Sequence, residues 1–141
     1  MSARSRPGYT ATQLNQFYDR ISLPQSHRHT PGPESEKVAK SSDHALEYLS
    51  ALQRHTLASI PFENLDLHYS QHHSISIDPD HLFEKIVTKG RGRGGYCMEN
   101  NCIFGTVLRG LGFDVLSTGA RVSSALGSPD VTNEDARYDG W

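Results

Sequence analysis

Arg91-Gly92-Arg93-Gly94-Gly95-Tyr96-Cys97-Met98-Glu99-Asn100-Asn101 is the stretch whose reading decides the fold. A glycine-rich turn over residues 90–95 runs into a cysteine. Phe104, Val107, Leu108 and Leu111 then recur at helical spacing, and Gly110 and Gly112 mark the stop. Gly94 and Gly95 permit a tight turn and close backbone approach. The helix that follows aims free N–H groups and its positive dipole end at the Cys97 sulfur. An unperturbed thiol, with a pKa of about 8.5, is only a few per cent thiolate at pH 7. A placement that favours the thiolate therefore favours nucleophilic chemistry, and the same N–H groups suit an oxyanion. A lone cysteine is more often a small buried hydrophobe, so position alone leaves both readings open. Cys102, inside the same helix with no turn before it, reads as packing.

The two cysteines are five apart in one helix, with Cα atoms roughly 8–9 Å apart, too far for a disulfide. Nor do they form a zinc pattern, which wants a CxxC or a matched pair of histidines. No metal is expected.

Upstream, residues 9–23 carry Leu14, Phe17, Tyr18 and Ile21 at helical spacing and stop at Pro24. Residues 24–42 are rich in Pro, Ser and charge and read as a surface loop or insertion, with His27 and His29 solvated. A second helix is expected from Ser42 or Asp43 as N-cap, burying Leu46, Leu49, Leu52 and Leu57. It leads to Ile60-Pro61-Phe62-Glu63-Asn64-Leu65, extended before Pro61. Residues 74–77 (SISI) read as a short strand. Asp78-Pro79 then caps a helix to Thr88 with Leu82, Phe83, Ile86 and Val87 inward. Residues 113–122 read as a strand and 123–140 as polar loop.

A chain of 141 residues suits one domain of modest core, since only 35% of it is hydrophobic. Its 14 Lys and Arg against 16 Asp and Glu give a net charge of −2, which argues against nucleic-acid or anionic-membrane binding. The N-terminus has no apolar run after its basic residues, and no stretch approaches the roughly 18 apolar residues of a membrane span. A cytosolic protein with a small-molecule or protein partner is expected.

Arg93-Gly94-Gly95-Tyr96-Cys97 resembles the Arg-Gly-Gly-x-Cys signature of the arylamine N-acetyltransferases. Pro61-Phe62-Glu63-Asn64 resembles that family's upstream segment, Glu99 with Asn100-Asn101 the start of its helix, and Gly119-Ala120-Arg121-Val122 its next strand. The resemblance spans residues 9–122, with 24–42 longer than in most members, a fungal-like trait. It implies an α+β, cysteine-protease-like fold. Residues 1–112 would be the N-terminal helical domain with a loop insertion at 24–42, and 113–141 the first strand of an incomplete β-barrel. It implies transfer of an acyl group from acetyl-CoA, as donor substrate, to Cys97 and then to an arylamine, arylhydroxylamine or hydrazine, the chemistry of xenobiotic metabolism. Cys97 would be the nucleophile, Arg93 and Glu63 a buried ion pair beneath the loop with Gly94 and Gly95, and Phe62 part of the acceptor pocket.

The family's catalytic histidine and aspartate lie after the cysteine, whereas all eight histidines (27, 29, 44, 55, 68, 72, 73 and 81) precede Cys97. Tyr138-x-Gly140-Trp141 resembles the approach to that histidine. The expectation is a chain truncated before its partners, inactive alone, with an unpaired strand edge. A non-catalytic binding protein derived from the helical domain is the alternative. Rescue by His68, His72, His73 or His81 lacks an orienting third group. Arg91-Gly92-Arg93-Gly94-Gly95 is single and sits between helices, unlike repeated RNA-binding tracts. No Gly-Lys-Ser/Thr follows it to cradle phosphate. His72-His73 reads as a solvated pair rather than a metal site.

Overall fold

A computed structural model describes residues 8–89 and 92–120, with the backbone alone for Ser42, 122–123 and 138–139. The N-terminal seven residues, Gly90, Arg91, Arg121 and most of the expected loop over 123–140 lie outside the described residues, as does Trp141.

Helix α1 (Ala11–Arg20) starts at Thr10, whose hydroxyl accepts the Gln13 N–H while the Gln13 side chain accepts the Thr10 N–H. Its Leu14, Phe17 and Tyr18 are buried, as the spacing predicts. The chain before it lies directly on the last turn of α6 (Cys97–Gly110), where a Cβ on Gly110 would sit 2.6 Å from the Tyr9 carbonyl oxygen. The Tyr9 hydroxyl donates to Pro79 O at 2.7 Å. These contacts bring α1, α5 (Pro79–Phe83) and α6 around one core that also takes Leu82, Ile86, Ile103, Val107 and Leu111.

Residues 24–42 are not a plain loop. After a single 3₁₀ turn (Gln25–His27), α2 (Pro33–Lys40) forms, with proline at its first position and Ser35 Oγ accepting the Gly32 N–H. Ser35 is buried and Val38 packs on the core. His29, expected to be solvated, is half-buried with its ring edge-on to Tyr48 at 4.5 Å, and burial holds its imidazole below the usual pKa. The polar composition hid a short helix because only two of its residues face inward.

Helix α3 (Ser42–Ser59) follows Ser41 at the cap position. Its inward face is Tyr48, Ala51, Leu52 and Thr56, while Leu46 and Leu57 are 68% and 73% exposed. Of the four leucines expected inside, Leu52 is buried and Leu49 half-buried while Leu46 and Leu57 face out; the buried set recurs at i, i+3, i+4 and i+8 from Tyr48. The Tyr48 hydroxyl fixes that choice by meeting the Tyr18 hydroxyl at 2.9 Å.

After α4 (Leu65–Tyr69), residues 74–77 form no strand. Asp78 caps α5 by accepting the His81 N–H at 2.9 Å, and α5 runs into a π turn (Glu84–Thr88) closed by Lys89 N–H to Glu84 O. Helix α6 ends in a Schellman motif, with Phe113 N–H on Leu108 O, Gly112 N–H on Arg109 O and Gly112 at φ +89°. Phe113 thus closes the helix, and residues 113–120 make no strand pairing. Among the described residues the strand is β1 (Val122–Ser123), which pairs antiparallel with β2 (Tyr138–Asp139), Val122 opposite Asp139. The expected strand thus has a partner at Tyr138–Asp139, where none was expected, and each of the two strands keeps one unpaired edge among the described residues. No barrel is present among the described residues, and no described helix is long and apolar enough to cross a membrane.

The register of α3 is testable by truncation. Leu52→Ala should cost about 2–5 kcal/mol of unfolding free energy. Leu46→Ala and Leu57→Ala should each stay within about 0.5 kcal/mol. Chemical denaturation of the three variants compares them, and equal losses would refute this register.

Candidate functional site

The Cys97 loop is built against the segment before α4. Gly95 N–H donates to Pro61 O at 3.2 Å and Glu63 N–H to Gly95 O at 3.0 Å, a single parallel bridge between Phe62 and Gly95. The approach is too close for side chains. A Cβ at Gly94 would overlap the Pro61 carbonyl, and one at Gly95 would lie 2.8 Å from Glu99 Cβ. The turn itself is made by Gly92, at φ +92°.

Tyr96 precedes α6, and Cys97 is its first residue, half-buried, with a free thiol. Glu99, two residues on, reaches back so that its Oε2 accepts the Tyr96 N–H at 2.8 Å. The Asn100 side-chain nitrogen donates to Gly95 O at 2.9 Å. Phe62, 65% exposed, lies beside Tyr96 with ring centroids 5.4 Å apart. Met98, the residue after Cys97, is also exposed. Cys102 instead lies against the core and donates to Ile77 O at 3.2 Å.

Beneath the loop, Arg93 and Glu63 meet, with both Arg93 Nε and Nη2 donating to Glu63 Oε1, at 3.1 and 2.8 Å. The sequence reading missed how much surrounds them. Arg93 Nη2 also donates to Asp66 at 2.8 Å. Lys85 Nζ lies 2.6 Å from Asp66, 2.7 Å from Glu99 and 3.7 Å from Glu63. The Lys85 and Glu99 side chains are only 7% and 1% exposed. Burial alone would raise the Asp66 pKa, but hydrogen bonds from Lys85 and Arg93 outweigh it and hold the carboxyl below its usual value. Burial would lower that of Lys85, but Asp66 and Glu99 outweigh it and raise it. Asp66 raises that of Arg93, and Glu63 adds to the effect. One signal for Lys85 was available in the sequence: a lysine enclosed by Leu82, Phe83, Ile86 and Val87 is out of place in an apolar stripe.

Arg20 was also missed. It donates from Nε to Ile86 O at 2.9 Å, from Nη1 to Ser59 O at 2.8 Å and from Nη2 to Arg93 O at 3.1 Å. One guanidinium thus joins α1, the end of α3, the π turn and the Cys97 loop. Among the described residues no histidine is hydrogen-bonded to Cys97, and no group of His, Cys, Asp and Glu is arranged to hold a metal ion. His72 and His81 instead border a cavity of about 480 Å³ behind the Arg93 and Lys85 side chains.

Cys97 thus opens a helix after a glycine loop, over a network of five charges in which Lys85 and Glu99 are buried and Arg93 remains 36% exposed. The model of the family described as N-acetyltransferase matches residues 45–135, and the chain belongs to the arylamine N-acetyltransferase family. It is similar to an N-malonyltransferase of Fusarium pseudograminearum, 44% identical over 137 residues, 96% of this chain and 39% of that protein. It is also similar to a pineal gland arylamine N-acetyltransferase of Gallus gallus, 43% identical over 77 residues, 55% of this chain and 25% of that protein. An arylamine N-acetyltransferase of Escherichia coli is 43% identical over the same length, covering 55% of this chain and 26% of that protein. The chain thus spans about two fifths of the length of the N-malonyltransferase and about a quarter of the two arylamine N-acetyltransferases.

The depressed Asp66 pKa sets the sign of a pH effect. Its ionised form is favoured by folding, so the stability it contributes is present above its unfolded pKa of about 3.9 and lost as pH falls through the lower folded value. Asp66→Asn should lower the unfolding midpoint at pH 7 and flatten the decline below about pH 4. Thermal melts from pH 2 to 7 provide the check, and a variant whose curve parallels the parent's would remove Asp66 from the network.

Proposed function

We propose that the protein is an N-acyltransferase that carries its acyl group as a thioester on Cys97. The group comes from an acyl-coenzyme A and goes to an arylamine, arylhydroxylamine or hydrazine nitrogen. The observation that best supports this is the half-exposed Cys97 at the first position of α6, directly after Tyr96, on whose ring the exposed Phe62 packs. The N–H groups of that first turn have no helical carbonyl to bond and suit a developing oxyanion.

The Cys97 thiolate attacks the acyl carbonyl carbon, a C–S bond forms, and collapse of the oxyanion expels coenzyme A as its thiolate. The amine nitrogen then attacks the thioester carbonyl, Cys97 leaves as thiolate, and a proton passes from nitrogen to a base. Phe62 would line the acceptor site, where its exposed ring stacks on a flat aromatic amine. Arg93, Glu63, Gly94 and Gly95 would hold the loop that presents the thiol. A relative that matches 96% of this chain carries the name N-malonyltransferase, so malonyl-CoA stands beside acetyl-CoA as a candidate donor. We place the activity in the cytoplasm, on small aromatic nitrogen compounds.

The base belongs, by the family resemblance, to residues after Cys97. No histidine follows Cys97 in these 141 residues. Transfer onward needs a base for the amine proton, and loss of one member of a catalytic unit costs about as much as loss of all, roughly 10⁶-fold in a serine hydrolase. Cysteine depends on its base less, so acylation can outlast turnover.

Incubation of the chain with acetyl-CoA or malonyl-CoA, with and without an arylamine, separates the steps by mass spectrometry. The expected result is a slow acyl adduct on Cys97, absent in Cys97→Ala, and no multiple turnover. Failure of both donors to acylate Cys97 would sink the proposal. Multiple turnovers abolished by Cys97→Ala would keep the reaction but assign the base to an upstream histidine or a second copy.

A further inference from the structure

Lys85 is a nearly dry cation that the acyl-transfer scheme does not use, and the groups around it are arranged on both sides of the nucleophile loop. Its ammonium lies 2.7 Å from Glu99 Oε1, and the other oxygen of that carboxylate accepts the Tyr96 N–H at 2.8 Å. Tyr96 immediately precedes Cys97. On the other flank, the ammonium lies 2.6 Å from Asp66 Oδ2, while Asp66 Oδ1 accepts from Arg93 at 2.8 Å. One charge thus holds two carboxylates, one of which fixes the residue after the Gly94–Gly95 pair and the other the residue before it. The π turn is what delivers it: Lys85 is the second residue of Glu84–Thr88, directly before buried Ile86.

We propose that Lys85 is a positioning residue for the Cys97 thiol, acting through the Glu99 carboxylate on the first turn of α6. This rests on the reading of Cys97 as the nucleophile. Glu99 cannot keep its place by packing alone. Its side chain is 1% exposed, and without the ammonium it is a desolvated carboxylate next to Asp66 and Glu63. Only Arg93 would remain among these five groups to balance three like charges, and Arg93 reaches Glu63 and Asp66 but makes no bond to Glu99. A Glu99 that turns away releases the Tyr96 N–H and, with it, the start of the helix that carries the thiol. Cys102, on the same helix but held against the core, does not depend on this linkage and serves as an internal reference.

The test compares alkylation rates of the two thiols in the folded 141-residue chain with iodoacetamide at pH 7, read by peptide mass spectrometry, for the parent, Lys85→Met, Glu99→Gln and the double variant. Thermal midpoints are recorded in parallel. In the parent, Cys97 should react at least about tenfold faster than Cys102, given a thiol at a helix start against a half-buried one within the helix that is hydrogen-bonded to Ile77 O. Lys85→Met should reduce that ratio severalfold, and the double variant should be no worse than Lys85→Met, because both substitutions cut one chain of contacts. Independent, multiplying effects of the two substitutions on the ratio would overturn the proposal, as would a folded Lys85→Met with the parent's ratio. If Lys85→Met does not fold, Glu99→Gln decides: a lowered ratio upholds the linkage and an unchanged ratio refutes it. A parent whose two cysteines react alike removes the nucleophile reading itself, which is a different failure from a selective parent that Lys85→Met leaves selective.

Discussion

Lys85 has been taken almost wholly out of water, and an unpaired ammonium in that position would carry a penalty of several kcal/mol. Asp66 and Glu99, each within 2.7 Å, are what make the placement tolerable. The dependence runs in both directions, because the Glu99 carboxylate is more buried than the lysine and would be left desolvated without it. Arg93 joins through Glu63 and Asp66, so five charges from four parts of the chain are mutually conditional. Such a cluster adds little net stability over an apolar one of equal shape. What it contributes is position: α4, the π turn, the glycine loop and the first turn of α6 have one arrangement in which every charge is met.

Backbone contacts complete what the charges begin. Arg20 has no carboxylate partner among the described residues and instead donates to three carbonyl oxygens, those of Ser59, Ile86 and Arg93. Those carbonyls belong to the last residue of α3, the middle of the π turn and the loop before Cys97, so that one side chain ties three segments together. The guanidinium fork suits the task because its donors point in fixed directions. The Pro61 carbonyl is satisfied by Gly95 N–H, at a distance that only glycine at 94 allows. The loop that ends in Cys97 is therefore held from below by ions, from one side by an arginine and from the other by a peptide bond.

The sequence disclosed some of this more readily than the rest, for physical reasons. The helices around Leu14 to Ile21, around Leu82 to Ile86 and after Cys97 were legible because each buries one continuous stripe between clear caps. Helix α3 was legible as a helix, but its face was not, since leucines occur on both sides and the choice was made by Tyr48 meeting Tyr18 across the core. Helix α2 was hidden by polar composition. Residues 113–120 misled in the opposite sense, because Phe113 and Val115 suggest a strand whereas Phe113 is occupied in closing α6. At the site, local pattern pointed to Cys97 and its glycines, and family resemblance supplied Glu63 with Arg93. Lys85 and Asp66 stayed out of reach because their partners are distant in sequence and a π turn, which shifts the helical phase, has no periodic signature.

The charge count under the loop bears on how the thiol is supported. Two cations face three carboxylates, leaving one negative charge in excess, and the surplus is tolerable because Glu99 lies at the N-terminal end of α6. A helix start offers roughly half a positive charge and a set of free N–H groups, and Glu99 draws on both by accepting the Tyr96 N–H. The same helix end faces Cys97. Glu99 and Cys97 therefore share one helix end within a single turn, and Glu99 already takes the Tyr96 N–H. If Cys97 is the nucleophile proposed above, Lys85 serves it by compensating Glu99 from the other side, so that less of the helix end is spent on the carboxylate.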